Sequence, residues 1–450
     1  MKKRILVVST IAVVAGLVWG LIYINSLLPI ITGYPAKYLS AAVFISGRDP
    51  KMVTSTDLHF SLIQYAGNEI NYGEKSVTSR FLWGKSKAIY RDGFGTVLLR
   101  DTDEATLRAQ KFPDVAGCGY NQDTIPWPLG NIIPDANTGI DELALDKVTQ
   151  KLMLENSYGG NAFGFIVVHK GVPVAEKYNH GFNDKTRFLS WSMAKSFTNS
   201  LAGVMTIDGK LDIHQPAGID AWQHDERKHI TINDLLQMQS GLQWNEDYGN
   251  RSDVTLMLYN NHDFAAYASG KRLEYPAGSH WYYSSGSTNI VNYLMRKQFS
   301  DDGAYHAYAL TRLFYKIGMP DAIFETDPAG TQVGSSYLFA TVRDYARFGL
   351  LCLQDGNFNG ERILPNGWVK YSTTPASQSH QGYGSCFWLN KAKYYPSAPD
   401  DMYSCNGHDG QRIFIIPSKE LIVVVVGYSP SSKGGMNFDK LLGDILATMP

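Results

Sequence analysis

No charged side chain occurs from Ile5 to Ala36, and three cationic residues, Lys2, Lys3 and Arg4, stand just before that run. About 20 apolar residues cross the hydrocarbon core of a bilayer, and a basic cluster at one end stays cytoplasmic. The pattern predicts a membrane anchor over residues 1–30, with the chain after Ile30 facing outward. A secretory signal peptide has a similar composition. The length of the run, with no small-x-small cleavage site after it, favours a retained anchor.

Residues 31–137 change texture. Short β-type runs, Ala42-Val43-Phe44-Ile45, Phe81-Leu82-Trp83 and Thr96-Val97-Leu98-Leu99, alternate with turn signals such as Asp92-Gly93. They predict a β-rich N-terminal extension. The turn-rich stretch from Trp127-Pro128-Leu129-Gly130 to Pro134-Asp135 is the expected linker.

The third segment, 138–450, opens with a helix from Asp141 to about Leu154, followed by the apolar run Phe163–Val168, then His169-Lys170-Gly171, then Val172–Tyr178. That is a hairpin pattern. The chain ends alike: Arg412–Ile416, a Pro417-Ser418-Lys419 turn, Leu421–Val426, then a helix from about Phe438 to Thr448. Between the hairpins helical periodicity dominates, with one helix capped at Thr231 (Asp234 three residues on) and another from Thr341 to Leu353. The expected fold class is α+β, an antiparallel sheet completed by both ends of the segment and flanked by helices, with a helical region beside it.

Composition narrows the function. The 450 residues carry 41 Lys+Arg against 42 Asp+Glu, a net charge of −1, with 44% hydrophobic content. No basic stripe interleaved with aromatics is present, so nucleic acid is not an expected partner. Four cysteines, Cys118, Cys352, Cys386 and Cys405, have no metal-ligand spacing. Cys386 and Cys405 could bridge neighbouring strands, or stay buried thiols. His224, Asp225 and His229 lie close together in sequence, but a solvated turn before the Thr231 helix is favoured over a metal site. Neither a metal nor an organic cofactor is expected.

The chemistry concentrates in Leu189-Ser190-Trp191-Ser192-Met193-Ala194-Lys195-Ser196-Phe197. Met193, Phe197, Leu201 and Val204 follow helical spacing, so Ser192 and Lys195, three apart, share a face. A serine hydroxyl needs a base beside it to act as a nucleophile, and a buried lysine can be that base. The first helical turn adds N–H groups that meet developing negative charge. Most chance Ser-x-x-Lys spacings sit on solvated helix faces; this one lies in apolar surroundings. Two further stretches have chemical content: Pro276-Ala277-Gly278-Ser279-His280-Trp281-Tyr282-Tyr283-Ser284-Ser285-Gly286, an aromatic run between glycines, and Asn406-Gly407-His408-Asp409-Gly410-Gln411 ahead of an apolar strand. Trp244, Glu246 and Tyr248, after the Ser240-Gly241 stop, could line a substrate cleft or form a surface loop.

The order Ser-x-x-Lys, Tyr-Ser-Ser about ninety residues on, and His-x-Gly before a C-terminal strand resembles the serine β-lactamase and penicillin-binding-protein superfamily. It is most similar to the class C branch with its related esterases, D-aminopeptidases and 6-aminohexanoate-dimer hydrolases. Met238-Gln239-Ser240-Gly241-Leu242, Pro276-x-Gly278 and Arg343-Asp344-Tyr345-Ala346-Arg347-Phe348-Gly349 strengthen the likeness, which spans about Gly160 to Met449. The resemblance implies a β-lactamase-like fold, Ser192 as nucleophile, Lys195 as the neighbour that helps remove its proton, Tyr283 as a second acid/base group and His408 on the final motif. It further implies an oxyanion hole from the backbone N–H groups of Ser192 and Gln411, with Ser285, Asp409 and Gly410 beside the substrate. Whether Lys195 or Tyr283 is the base stays open at this point.

Two departures bear on substrate. Ser285 stands where that branch usually has Asn, and His408 where β-lactamases carry Lys; an imidazole is mostly neutral at pH 7 and grips a carboxylate less well. Both changes favour an ester or amide over a β-lactam. The expectation is a serine hydrolase acting on a small-molecule or peptide substrate through an acyl-enzyme. It would be single-pass in a bacterial inner membrane, its catalytic part periplasmic or extracellular. The rival is a non-catalytic or single-turnover sensor of penicillins or cell-wall peptides.

Overall fold

The computed structural model describes residues 2–449, without the side chains of Lys2 and Lys3. Met1 and Pro450, where the anchor and hydrolase segments were expected to begin and end, therefore lie outside the described residues, as do two side chains of the basic cluster. The chain forms two compact units: Met1–Arg91 with Thr96–Ala109 and Asn245–His262, and Asp92–Gly95 with Gln110–Trp244 and Asp263–Pro450. Residues 110–137 belong to the second unit, and a segment more than 130 residues later joins the first.

The first unit is built on one helix, Lys2–Phe44, long and apolar enough to cross a membrane. Its first half is exposed, whereas Leu28, Ile31, Leu39 and Ala42 are buried against a four-stranded antiparallel meander of Gly67–Asn71, Ser76–Phe81, Gly84–Arg91 and Gly95–Leu98. Two β-type expectations are corrected. Ala42-Val43-Phe44 ends the helix, because Leu39, Ala42 and their neighbours serve as the helix's packing face, and Leu82-Trp83 is the tip of a hairpin whose strands stop at Phe81 and restart at Gly84.

The second unit has the α+β architecture expected. Its six-stranded antiparallel sheet runs in the order Trp388–Leu389, Tyr403–Asn406, Arg412–Ile416, Leu421–Gly427, Ala162–His169, Val172–Tyr178. The C-terminal strand Leu421–Gly427 thus pairs directly with the first strand of the unit, Val423 opposite Val167. Alternation sorts the side chains. Phe165, Val167, Val423 and Val425 join Leu145, Leu152, Leu441 and Ile445 of helices Glu142–Met153 and Phe438–Leu446 in one core. The opposite face meets helix Val342–Leu353. Each buried Leu, Ile or Val contributes roughly 1.5–3 kcal/mol, which is why the central strand is an unbroken apolar run.

The stretch expected to be a linker is fastened down. Arg347, buried on helix Val342–Leu353, donates to the carbonyls of Pro128 (2.6 Å) and Gly130 (2.7 Å) and to Asn131 Oδ1 (2.9 Å), and Trp127 Nε1 donates to the Gly171 carbonyl at 2.8 Å. All four cysteines are free, three of them buried. Burial pushes the Cys386 and Cys405 thiols up to about 12.

Candidate active site

Helix Ala194–Ile207 passes through the middle of the second unit, with every residue from Ala194 to Met205 buried. Phe197 stacks on Phe348 at 3.7 Å. Two polar side chains of the helix are met individually: Ser196 Oγ donates to the Cys386 carbonyl (2.7 Å), Asn199 Nδ2 to Ser385 Oγ (2.9 Å), and Asn199 Oδ1 accepts from Trp368 Nε1 (3.0 Å) and Ser372 Oγ (3.0 Å). Most buried polar groups have such partners.

Ser192 lies in the 3₁₀ turn Trp191–Met193 that leads into this helix and is half-buried. Lys195, one turn on, is 1% exposed. Its Nζ lies 3.0 Å from Ser192 Oγ, 3.0 Å from Ser285 Oγ and 2.9 Å from the carbonyl oxygen of Ser335. A neutral amine has two N–H groups and one lone pair. The Ser335 carbonyl can only accept and so takes one N–H; Ser285 can accept the second, which leaves the lone pair for the Ser192 hydroxyl. After proton transfer the ammonium has three donors for the same three oxygens.

Tyr283 approaches this lysine by its ring, whose centroid is 4.7 Å from Nζ. The ring is held between Tyr383 (5.8 Å) and Trp388 (5.4 Å), and Trp281 packs on both of these. Facing a ring, a cation gains from the aromatic quadrupole.

The Gly407–Gln411 segment adjoins the nucleophile turn. The His408 ring stands edge-on to Trp191 at 5.5 Å, and a Cβ on Gly407 would collide with the Ser190 carbonyl, so glycine is needed for this approach. Gln411 is clamped by its side chain, Nε2 donating to the Gly427 carbonyl (2.7 Å) and Oε1 accepting from the Gly427 N–H (3.0 Å), while its own carbonyl accepts from Gly407 N–H at 2.8 Å. The backbone beside Ser192 is therefore fixed from the strand Leu421–Gly427.

The profile of the Beta-lactamase family matches residues 145–442, more than half of the chain and the whole of this site. The chain belongs to the Beta-lactamase family. It is a serine hydrolase of that family. A 6-aminohexanoate-dimer hydrolase from Paenarthrobacter ureafaciens is 23% identical over 301 residues, spanning 59% of this chain and 72% of that protein. A solved Bacillus anthracis structure, provisionally assigned as a 6-aminohexanoate-dimer hydrolase, superposes with a TM-score of 0.58 at 21% identity over 75% of this chain and 92% of its own. A penicillin-binding-protein homologue from Caulobacter crescentus gives 0.52 at 16% identity, over 71% and 99%. The two structures share the fold with this chain.

Within this Beta-lactamase-family site the remaining expected residues are placed as follows. Asp409 is buried with φ +55°, its Oδ1 3.3 Å from His408 Nε2 and its carbonyl accepting from Ser429 N–H at 2.7 Å. Gly410, also at positive φ, carries the chain into Gln411. Trp244 is buried, edge-on to Tyr267 at 6.3 Å, and lines a small cavity with Met238, Tyr275, Tyr282 and Ser284. Tyr248 lies in the 245–262 segment of the first unit, its hydroxyl donating to Glu246 Oε1 at 3.2 Å. Asp225 of the His224–His229 cluster is occupied by Arg227 at 2.8 Å, which holds its carboxyl down at about 2.

Two features escaped the sequence reading. Ser335 contributes a carbonyl, a group every residue carries, so no side-chain motif announces it. Trp388 and Tyr383 box in Tyr283 from a region more than ninety residues away, and Trp388 also forms one wall of a cavity of about 410 Å³ with Tyr394, Tyr395, Met402 and Asn406.

Proposed function

We propose that this chain is a membrane-anchored hydrolase that cleaves an ester or amide bond through an acyl-enzyme on Ser192. The observation that carries the reading is the three-oxygen setting of Lys195 Nζ, which turns the amine toward Ser192 Oγ at 3.0 Å. Lys195 takes the hydroxyl proton as Oγ attacks the substrate carbonyl carbon. The oxyanion meets the N–H groups of Ser192 and Gln411; such donors supply roughly 3–4 kcal/mol each where charge exists only in the transition state. The leaving group departs with a proton delivered by Lys195 or by Tyr283 beside it. Water then attacks the acyl-serine, its proton passes to the same base, and the acid product leaves with Ser192 restored. His408, exposed beside Trp191, lies at the rim, and the buried Ser285 backs Lys195.

The relative's name, a hydrolase of an amino-acid dimer, supports an amide among the substrates. The exposed apolar helix supports an anchor, and the cationic residues before it support a single-pass orientation in a bacterial inner membrane with the catalytic unit periplasmic or extracellular. An active-site phosphonate should label the wild type and not Ser192→Ala; equal labelling overturns the assignment. Turnover of p-nitrophenyl esters should reach a steady state. One stoichiometric burst with nothing after it would make the protein a single-turnover sensor instead.

A further inference from the structure

The tip of the Ser76–Arg91 hairpin presents two large apolar side chains to solvent: Leu82 is 64% and Trp83 57% exposed. A two-residue hairpin turn favours Asn and Gly because its backbone enters the left-handed region. Leu82 has φ +51°, so a branched apolar residue occupies a position that suits neither its backbone nor its exposure.

The tip is tied to one level of the N-terminal helix. Trp83 Nε1 donates to Asn25 Oδ1 at 3.1 Å, Gly84 lies against Leu28, Ser86 Oγ is 2.7 Å from Thr32 Oγ1, and Tyr90 faces Phe44 with ring centroids 6.4 Å apart. Strand Gly84–Arg91 thus runs along the helix in register, with the tip at its membrane-side end. From Ile5 to Ile24 every helix residue except Gly20 is exposed, and burial sets in at Leu28. Twenty residues at 1.5 Å span about 30 Å, the thickness of a hydrocarbon core. If that stretch fills the core, Asn25 and the hydrogen-bonded Trp83 sit at its outer boundary, where tryptophan and tyrosine are favoured. Tyr23, 47% exposed, lies at the same level. One residue back from the tip, Arg80 and Lys85 face each other across the hairpin, both exposed, with Glu69 3.9 Å from Arg80. Two cations directly opposed in a sheet repel each other in water and suit lipid phosphates.

We propose that Leu82 and Trp83 are a second membrane contact, seated in the headgroup–acyl boundary of the bilayer that the N-terminal helix crosses. The contact holds the first unit at a fixed height instead of letting it swing on its helix. The inference rests on the anchor reading and is independent of the chemistry at Ser192.

The full-length protein is reconstituted into phosphatidylcholine–phosphatidylglycerol vesicles, with or without acyl chains brominated close to the headgroup, and its tryptophan emission is compared. Of the nine tryptophans, Trp19 and Trp83 are the two expected to be quenched. Trp83→Phe should remove a share of the quenching comparable to that removed by Trp19→Phe, and Leu82→Asp, which retains Trp83, should weaken the Trp83 share at least twofold. Quenching unchanged in Trp83→Phe but lost in Trp19→Phe overturns the hairpin contact and leaves the anchor standing. Quenching unaffected by either variant, with release of the protein by alkaline carbonate, overturns both.

Discussion

Replacing Ser285 with alanine removes one of the oxygens around Lys195 Nζ, from a side chain wholly buried at the start of helix Ser285–Arg296. Lys195 is 1% exposed. In the ammonium formed during acylation, the N–H that faces Ser285 Oγ at 3.0 Å loses that acceptor. A hydrogen bond to a charged group contributes about 1.5–3 kcal/mol, and an unmet buried donor costs a similar amount. Acylation should slow by roughly 10- to 150-fold, at about 1.4 kcal/mol per factor of ten. The assay is the second-order rate of inactivation by a fluorescent phosphonate, which reads attack by Ser192 without deacylation, with thermal melting as the control for folding. A variant that melts like the wild type and reacts within twofold of it would refute the positioning argument and leave Ser285 as a packing residue.

Lys195→Met keeps the chain length and removes the base; p-nitrophenyl ester turnover should fall about 10²- to 10⁴-fold, and retention of more than a tenth of the activity would pass the base role to Tyr283. Arg347→Met leaves the buried Asp344 carboxylate, 3.1 Å from the guanidinium, without its charge partner and frees the Pro128–Asn131 strap. A cost of about 3–5 kcal/mol is expected, seen as a lowered denaturation midpoint and partly recovered in an Asp344→Asn/Arg347→Met double variant. His169, buried and next to Lys170, has its imidazole pKa depressed by burial first and the lysine second, with Glu420 opposing. Folding then binds fewer protons than the unfolded chain, so this stability is present above the ordinary imidazole range, near 6.5, and is lost as pH falls below it. Melting curves of wild type and His169→Gln between pH 5 and 8 should diverge on the acid side; parallel curves would exclude the effect.

What could be read from the chain depended on whether a feature is local. The pairing of Ser192 with Lys195 follows from helix geometry, and the cap of Thr231 with Asp234 needs only four consecutive residues; both appear as expected. The two hairpins that complete the sheet were legible because each carries one strand, Ala162–His169 and Leu421–Gly427, that is close to an unbroken apolar run, as burial on both faces requires. Illegible features are those in which distant segments meet. Residues 245–262 pack with the N-terminal helix, Tyr259 lying 5.3 Å from Tyr34, and no local pattern marks that return. Ala42–Phe44 have strand propensity yet stay helical, because buried neighbours at helical spacing hold them against the meander. Ser285 looked like the loss of an amide when set against a family pattern. In the structure its hydroxyl touches Lys195, so the shorter side chain still reaches the amine that an amide there would face.

The backbone at Trp191 shows what it takes to present Ser192. Its φ is +46°, in a region that costs a non-glycine residue about 1–2 kcal/mol. Three bonds hold the approach: Ser190 N–H to the Leu338 carbonyl at 2.8 Å, Ser190 Oγ to the Trp191 carbonyl at 2.9 Å, and Tyr345 OH to the Phe188 carbonyl at 2.6 Å. At roughly 0.5–1.5 kcal/mol net each, they offset the strain and leave the turn rigid. The strained residue also places its ring between His408 and Tyr337, at 5.5 and 6.3 Å. Strain and ring contact can be separated. Both Trp191→Ala and Trp191→Gly lose the ring, but only glycine relaxes the backbone. In an ordinary helical turn alanine is the more stable of the two by about 1 kcal/mol. At position 191 the order should reverse, with the glycine variant melting higher although both lose the His408 contact. If alanine is equal or better, the positive φ carries no strain, and the fixed setting of Ser192 must come from the helix behind it.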